Sequence, residues 1–345
     1  MSGLRPCPIN QRWFSWGRGT GLSSRGIFVA VLAAGESTRI KSSKSKLLHD
    51  LCGKPVLEYP ISASLALGAE RVFLVTGGPH RRDVEAAFSD KGLFFVHQEK
   101  PLGTGHAVMC LQPHLPREGL LLVLPGDGPL IRPETLRAML SLHQDKGARA
   151  VILTARLPDP TGYGRVFRNT DGGFLRVIEH HDATEEERRV NEVCSGIYVF
   201  EIDSLFRWLG KVSSENKKNE YYLPGVLELI QENEGGVWIH EIADWTEILG
   251  VNTRFDLALA CSEMVKRLVR GWMDEGVTFV DPNGTYLEAD VRIGQDAVIY
   301  PWTALMGKTT IGERAVIMPG AVLVDTEVAP GVRVRPGYYE KERLL

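Results

Sequence analysis

No apolar run in this 345-residue chain approaches the roughly 18 residues that a helical membrane span needs, so membrane insertion is not expected. Cysteine is sparse. The five residues Cys7, Cys52, Cys110, Cys194 and Cys261 are odd in number and form no CxxC pair. That argues against a disulfide framework or a thiolate zinc site and for a reducing cytoplasm. A large charge of either sign is also missing. The net charge of −3 offers no electrostatic case for nucleic acid or an anionic membrane surface. What is present, 43% apolar and 24% charged residues, is ordinary for a globular protein, and the length suits two domains with a core in each. Residues 1–26 stand apart, with Arg5, Arg12, Arg18 and Arg25, no acidic residue, and no apolar stretch of signal-peptide type. Their composition predicts a disordered leader or a start codon placed too early. The alternative is an amphipathic or nucleic-acid-binding tail around Trp13, Phe14 and Trp16.

From Ile27 the patterning alternates between strand and helix. Apolar runs at 27–32, 71–76, 93–97, 120–125 and 150–155 read as strands. Between them lie helical patterns such as PETLRAMLSLHQDKG, with Pro133 in its first turn and Gly147 at its end. The alternation predicts an α/β, Rossmann-like, doubly wound parallel sheet whose ligand crevice lies beyond the carboxyl ends of the strands. Segments 174–180, 193–200 and 237–242 extend this domain, and a helix at about 254–273 leaves it.

The tail changes period. Ile293, Ile299, Leu305, Ile311, Ile317 and Leu323 recur every six residues, with Ala297, Thr303, Thr309, Ala315 and Ala321 four places after them. After a one-residue slip the beat resumes at Val328 and Val334. This is the hexapeptide repeat of a short left-handed parallel β-helix, in which each aliphatic side chain fills a triangular core and each small one a tight corner. A short prism with apolar faces is expected to oligomerise. The expected division is therefore a leader (1–26), a first domain (27–253), a linking helix (254–280) and the β-helix (281–345).

The first βα unit carries a chemical signal. The strand delivers the chain into Ala33, Ala34 and Gly35, small residues that let a ligand lie almost on the backbone, and Arg39 and Lys46 follow where they can reach over it. Exposed N–H groups with two cations suit a polyphosphate. The stretch is neither a Walker loop nor a GxGxxG fingerprint, and an ordinary strand-to-helix turn with solvated basic residues is the plain alternative.

LAAGESTR and SKLLHD are followed in order by HQEKPLGTGHAV (97–108), VLPGDGPLI (123–131), TGYGRVFRN (161–169), the segment 177–200, NEYYLPGVLELI (219–230) and LGVNTRFDLA (249–258). Together they resemble the uridylyltransferase half of the bifunctional N-acetylglucosamine-1-phosphate uridylyltransferase/glucosamine-1-phosphate acetyltransferase family, over residues 27 to 339. The resemblance implies a nucleotide-diphospho-sugar transferase domain that joins UTP to a sugar-1-phosphate, releasing pyrophosphate and giving UDP-N-acetylglucosamine for cell-wall precursors. By the same resemblance, Arg39 and Lys46 hold the triphosphate as catalytic cations. Leu32, Ala33, Ala34, Gly35, Gln98, Gly103 and Thr104 bind the nucleotide, with the Gln98 amide suited to a uracil edge. Gly126, Gly164, Glu179, Cys194, Tyr222 and Asn252 line the sugar side. Asp127 and Asn252 are the implied Mg²⁺ ligands, one carboxylate and one amide oxygen. Plainer roles exist for both: Asp127 as a turn residue before Gly128-Pro129, and Asn252 as a helix cap.

Three departures from the family pattern bear on these expectations. Ser37 replaces the second glycine of the phosphate loop, which a serine tolerates at negative φ. Cys194-Ser195-Gly196 replaces Asn-Thr-Gly, which loses an amide toward the sugar. Pro125 replaces an aromatic residue before Gly126-Asp127. The repeats stop near Tyr339, short of the turns that carry the family's acetyl-CoA site, and no histidine follows His240. Acetyl transfer is therefore expected to be missing, while the β-helix is expected to hold a trimer. The rival readings are the same chemistry on another nucleotide or sugar phosphate, such as dTTP or glucose-1-phosphate, and a non-catalytic sugar-nucleotide-binding scaffold.

Overall fold

The computed structural model describes residues 26–35 and 37–345, so the expected leader lies outside the described residues. The described chain divides into two units, 26–48 with 56–253, and 49–55 with 254–345. Residues 49–55, which the patterning alone leaves inside the first domain, thus group with the C-terminal unit.

In chain order the strands up to residue 242 are β1 (Ile27–Ala33), β2 (Asp50–Leu51), β3 (Lys54–Pro55), β4 (Arg71–Gly77), β5 (Phe94–Gln98), β6 (Leu120–Pro125), β7 (Ala150–Arg156), β8 (Arg165–Arg168), β9 (Phe174–Ile178), β10 (Glu192–Glu201) and β11 (Val237–Ile242). The first unit's sheet runs β11-β7-β10-β6-β1-β4-β5, with β8 and β9 attached at β10. Alternate residues of β1 enter two separate cores. Ile27, Val29 and Val31 pack with Ile61, Leu136 and Met139 of the helices Glu58–Leu65 and Pro133–Lys146. Phe28 and Ala30 pack with Val108, Leu205 and Leu227 of the helices on the other face. Burial on both faces explains why these strands read as continuous apolar runs. The sheet is not wholly parallel, because β10 lies antiparallel between β6 and β7. An apolar run carries no direction, so the patterning could not show this.

The chain steps from β1 outward to β4 and β5, then returns to place β6 on the other side of β1. That reversal is a topological switch point, and it opens a crevice beyond the carboxyl ends of β1 and β6. Ala33–Gly35 and Gly126-Asp127 leave the sheet there.

In the second unit the helix Arg254–Asp274 buries Ala260, Met264, Leu268 and Trp272, one stripe at a spacing of four. Beyond it stand three four-stranded parallel sheets, which form the short left-handed β-helix. Ile293 pairs with Ile311, Ile299 with Ile317 and Leu305 with Leu323, each eighteen residues on. The six aliphatic residues of the beat are all at most 3% exposed. The slip appears as expected where Ile311 pairs with Val328. A second shortening, Leu323 with Tyr339 and Val328 with Leu344, carries the pairing past the last aliphatic beat. The residue before most corners adopts positive φ, as at Asp296, Trp302, Arg314 and Asp325, with Gly320 and Gly331 at equivalent places, while at the Thr309 corner it is Gly307, two residues earlier.

Successive coils touch backbone to backbone at Gly312, where an added Cβ would stand 2.4 Å from the Pro330 nitrogen. Gly312→Ala should destabilise the β-helix by about 2 kcal/mol, the scale of overpacking against atoms that cannot move aside. Chemical denaturation of the two proteins measures it, and an unchanged midpoint would contradict the close approach.

Candidate nucleotide-sugar cleft

At the switch point the first unit opens a cleft of about 600 Å³. Its floor is set by strand ends, so the backbone near Ala33 and Ala34 is placed by the sheet itself. Gly126 follows the same logic, since its N–H donates to the Leu32 carbonyl at 2.9 Å and a Cβ there would meet that oxygen at 2.8 Å.

At the basic end the Lys46 ammonium, on a residue only 9% exposed, is paired with Asp127 and donates to Asn252 Oδ1 at 2.7 Å. Arg39 Nη2 donates to the same Asn252 oxygen at 2.8 Å. The Val251 N–H donates to the Asp127 carbonyl at 2.8 Å, tying the two carboxyl-end loops together. A carboxylate and an amide oxygen thus converge on one positively charged point. That donor set fits a hard divalent cation if phosphate oxygens and waters complete it. Among the described residues no cluster of three or more His, Cys, Asp or Glu could cage a metal, so the protein alone offers only part of a coordination shell.

Ser37 has φ −98°, which a serine adopts without strain. Its hydroxyl accepts from the Lys46 backbone N–H at 3.1 Å and closes the loop that carries both cations. This loop-closing contact was not visible in the sequence.

Gln98 is 4% exposed. Its amide nitrogen lies 3.0 Å from the Gly103 carbonyl, to which it donates, and 2.9 Å from His106 Nδ1. The donor side is spent internally, which leaves Oε1 as an acceptor. His106 is a member of this cluster that the motif reading missed. Gly103 and Gly105 are small for a different reason than ligand approach: an added Cβ would stand 2.7 Å and 2.8 Å from the Tyr221 carbonyl oxygen. That oxygen accepts from the Gly105 N–H at 2.7 Å, and Thr104 Oγ1 accepts from the Leu223 N–H at 3.1 Å. The glycine turn is therefore a dock for segment 219–223, and that dock brings Tyr222 to the site.

At the other end of the cleft stand Gly164, Glu179, Cys194 and Tyr198. Cys194 Sγ lies 2.9 Å from the Tyr198 hydroxyl, and burial pushes the Cys194 thiol up to about 12. A register shift in β10 between these two residues re-aims the strand toward the cleft. Ser195 is turned inward and donates to the Leu153 carbonyl at 2.7 Å. The Tyr222 hydroxyl is buried and faces the Asp182 carboxylate. Desolvation, then the nearby Asp182, Glu179 and Glu220 carboxylates, raise its pKa. Behind this wall Arg165, 1% exposed, donates to the Tyr163 and Arg188 carbonyls and braces the Tyr163-Gly164 turn. Arg39, Gly126, Tyr222 and Asn252 do not line the cleft directly; Asn252 reaches it through Lys46, and Arg39 through Asn252.

Glu179 is half-buried, and its carboxyl is raised above the usual value near 4.5, chiefly by desolvation and then by the Asp182 and Glu220 charges. Its contribution to stability is full below pH 4.5 and is lost as pH rises through the raised value, because the unfolded chain ionises first. Glu179→Gln should match wild type at pH 4 and be more stable at pH 7. Thermal melts at both values check this, and a variant no more stable at pH 7 would refute a desolvated carboxylate.

Residues 29–190 match the MobA-like NTP transferase domain and residues 290–325 the bacterial transferase hexapeptide (six repeats). The chain is 42% identical over 309 residues to the bifunctional protein GlmU of Halalkalibacterium halodurans, spanning 89% of this chain and 68% of that protein. It is 40% identical over 318 residues to the bifunctional protein GlmU of Bacillus velezensis, spanning 92% of this chain and 69% of that protein. Among solved structures, a UDP-glucose pyrophosphorylase complexed with UDP-glucose shares the fold, with TM-score 0.57 at 18% identity over 70% of this chain and 99% of that one. No described helix is long and apolar enough to cross a membrane. By sequence over nine-tenths of its length, by its hexapeptide coils and by its nucleotidyltransferase domain, the chain belongs to the bifunctional GlmU family.

Proposed function

We propose that the cleft joins UTP to N-acetylglucosamine-1-phosphate, giving UDP-N-acetylglucosamine and pyrophosphate. The observation that carries this reading is the convergence of Lys46, Arg39, Asp127 and Asn252 at one end of a cleft whose other end offers hydroxyl and carboxyl groups. A phosphate oxygen of the sugar phosphate attacks the α-phosphorus of UTP. The bond to the bridging oxygen breaks, and pyrophosphate leaves with the electron pair. Such a transfer needs positioning and charge stabilisation more than covalent help.

The small residues Ala33, Ala34 and Gly35 admit the nucleotide to the backbone, and Gln98 Oε1 can accept from the uracil N3–H. Lys46 and Arg39 meet the triphosphate and the charge that gathers on the leaving group. Asp127 and Asn252 would hold a divalent cation, which we take to be Mg²⁺, and that ion neutralises phosphate charge. Glu179, on the cleft wall beside Gly164, supplies hydrogen bonds to the sugar, and Tyr222, beside Asp182 and Glu179, supports that wall from behind. The hexapeptide match supports self-association, and we propose a trimer built on the β-helix, which light scattering at micromolar concentration tests. The proposal concerns nucleotidyl transfer alone, because the hexapeptide segment is itself similar to that of bacterial transferases.

A second reading, a different acceptor such as glucose-1-phosphate, is favoured by one observation. Cys194 spends its polar atom on Tyr198 rather than offering an amide to the sugar.

Pyrophosphate release should require UTP, a sugar-1-phosphate and a divalent cation, and should stop in excess EDTA. Lys46→Ala and Arg39→Ala should each lower turnover by about 10²-fold or more with little loss of fold stability, the scale for removing one preorganised charge from a leaving group. Near-normal turnover in either variant would remove the assigned role. Cys194→Asn should raise kcat/KM for N-acetylglucosamine-1-phosphate relative to glucose-1-phosphate. An unmoved ratio would mean that this position does not read the acceptor.

A further inference from the structure

In the second unit two cysteines 209 residues apart in sequence meet. Cys52 Sγ lies 3.4 Å from Cys261 Sγ and 3.7 Å from the Cys261 carbonyl oxygen. Cys52 forms the two-residue loop of the β2–β3 hairpin with Gly53, and both adopt positive φ, 50° and 84°. A hairpin loop of that shape prefers asparagine or aspartate before the glycine, so turn chemistry does not account for a cysteine here. The hairpin is held within its unit by the Ala289 N–H donating to the Cys52 carbonyl at 3.0 Å and by the Lys54–Asp290 ion pair at 2.8 Å. Cys261 sits on the helix Arg254–Asp274, which packs against the same unit. Both sulfurs are therefore carried by anchored backbone and sit in non-bonded contact at 3.4 Å, so that a small side-chain adjustment would bring them to the bonding separation of about 2.05 Å.

The two thiols differ in accessibility. Cys52 is 0% exposed, whereas Cys261 is half-buried.

We infer that Cys52 and Cys261 form a thiol-oxidation site, in which Cys261 attacks a small-molecule disulfide and Cys52 resolves the adduct to an intramolecular disulfide.

The contact with Cys52 lowers the Cys261 thiol against burial and the Asp50 and Glu288 carboxylates, while the same contact and burial push Cys52 up. The more exposed and more readily ionised thiol is the better attacking group in disulfide exchange. The step balances with a small-molecule disulfide such as glutathione disulfide. The Cys261 thiolate attacks one of its sulfurs and releases a glutathione thiolate, which takes up the Cys52 proton. Cys52 sulfur then attacks Cys261 sulfur and releases the second glutathione. Two protein thiols are oxidised and one small disulfide is reduced to two thiols. Neither cysteine belongs to the cleft machinery.

The test uses the full chain, purified reduced and treated at pH 7.5 with glutathione disulfide. Free thiols are then alkylated, and the protein is digested without reduction for mass spectrometry. The expected product is a peptide pair linked through Cys52 and Cys261, at least about tenfold more abundant than any pairing with Cys110. Cys52→Ser should stop at a single glutathione adduct on Cys261, and Cys261→Ser should leave Cys52 unmodified. Wild type that keeps both thiols free, or that accumulates a stable Cys261 adduct without linkage, overturns the inference whether or not the variants fold.

Discussion

The cleft depends on one interaction, the Lys46 ammonium held between the Asp127 carboxylate and the Asn252 amide oxygen. A nearly buried ammonium is costly unless it is paired and hydrogen-bonded. Here the partners come from the ends of β6 and of segment 249–252, so the loop after β1 is held to both. Ser37 closes that loop from within, and Arg39 adds its charge by sharing the Asn252 oxygen. The same oxygens are the groups a divalent cation would use. In the proposed reaction Lys46 would turn from these oxygens toward the triphosphate, and Asp127 and Asn252 would then be available to hold a divalent cation. Phosphate binding and metal binding would then be linked through one side chain.

The scaffold explains why these groups meet. Strand order reverses between β1 and β6, so the loops beyond their carboxyl ends diverge and leave room for a ligand. The opposite wall is built by docking rather than by the sheet. The Gly103–Gly105 turn receives the Tyr221 carbonyl and brings Tyr222 toward Glu179. The desolvated Glu179 carboxyl of that wall, which lines the cleft, is a group that a bound sugar would satisfy.

Periodic features were legible in the sequence and directional or long-range ones were not. The six-residue beat is a direct image of the β-helix, because every repeat places the same side-chain type at the same corner. The apolar runs located the strands, yet could not reveal that β10 runs antiparallel. The cationic loop and the Gly-Asp pair announced the site's basic end through residue type alone. The inward use of Gln98, the contact of Ser37 with Lys46 and the meeting of Cys52 with Cys261 depend on the path of the chain. A scattered, odd set of cysteines argued only against a disulfide framework or a zinc site, and spacing in sequence says nothing about proximity across 209 residues.

The most direct test of the central claim is the equilibrium affinity for UTP without metal, measured by titration calorimetry in excess EDTA. If Lys46 is shared between Asp127 and the phosphates, Asp127→Asn releases the ammonium and tightens metal-free UTP binding, while Lys46→Ala abolishes it. Asp127→Asn that binds UTP more weakly than wild type, or Lys46→Ala that binds it equally well, would contradict the account.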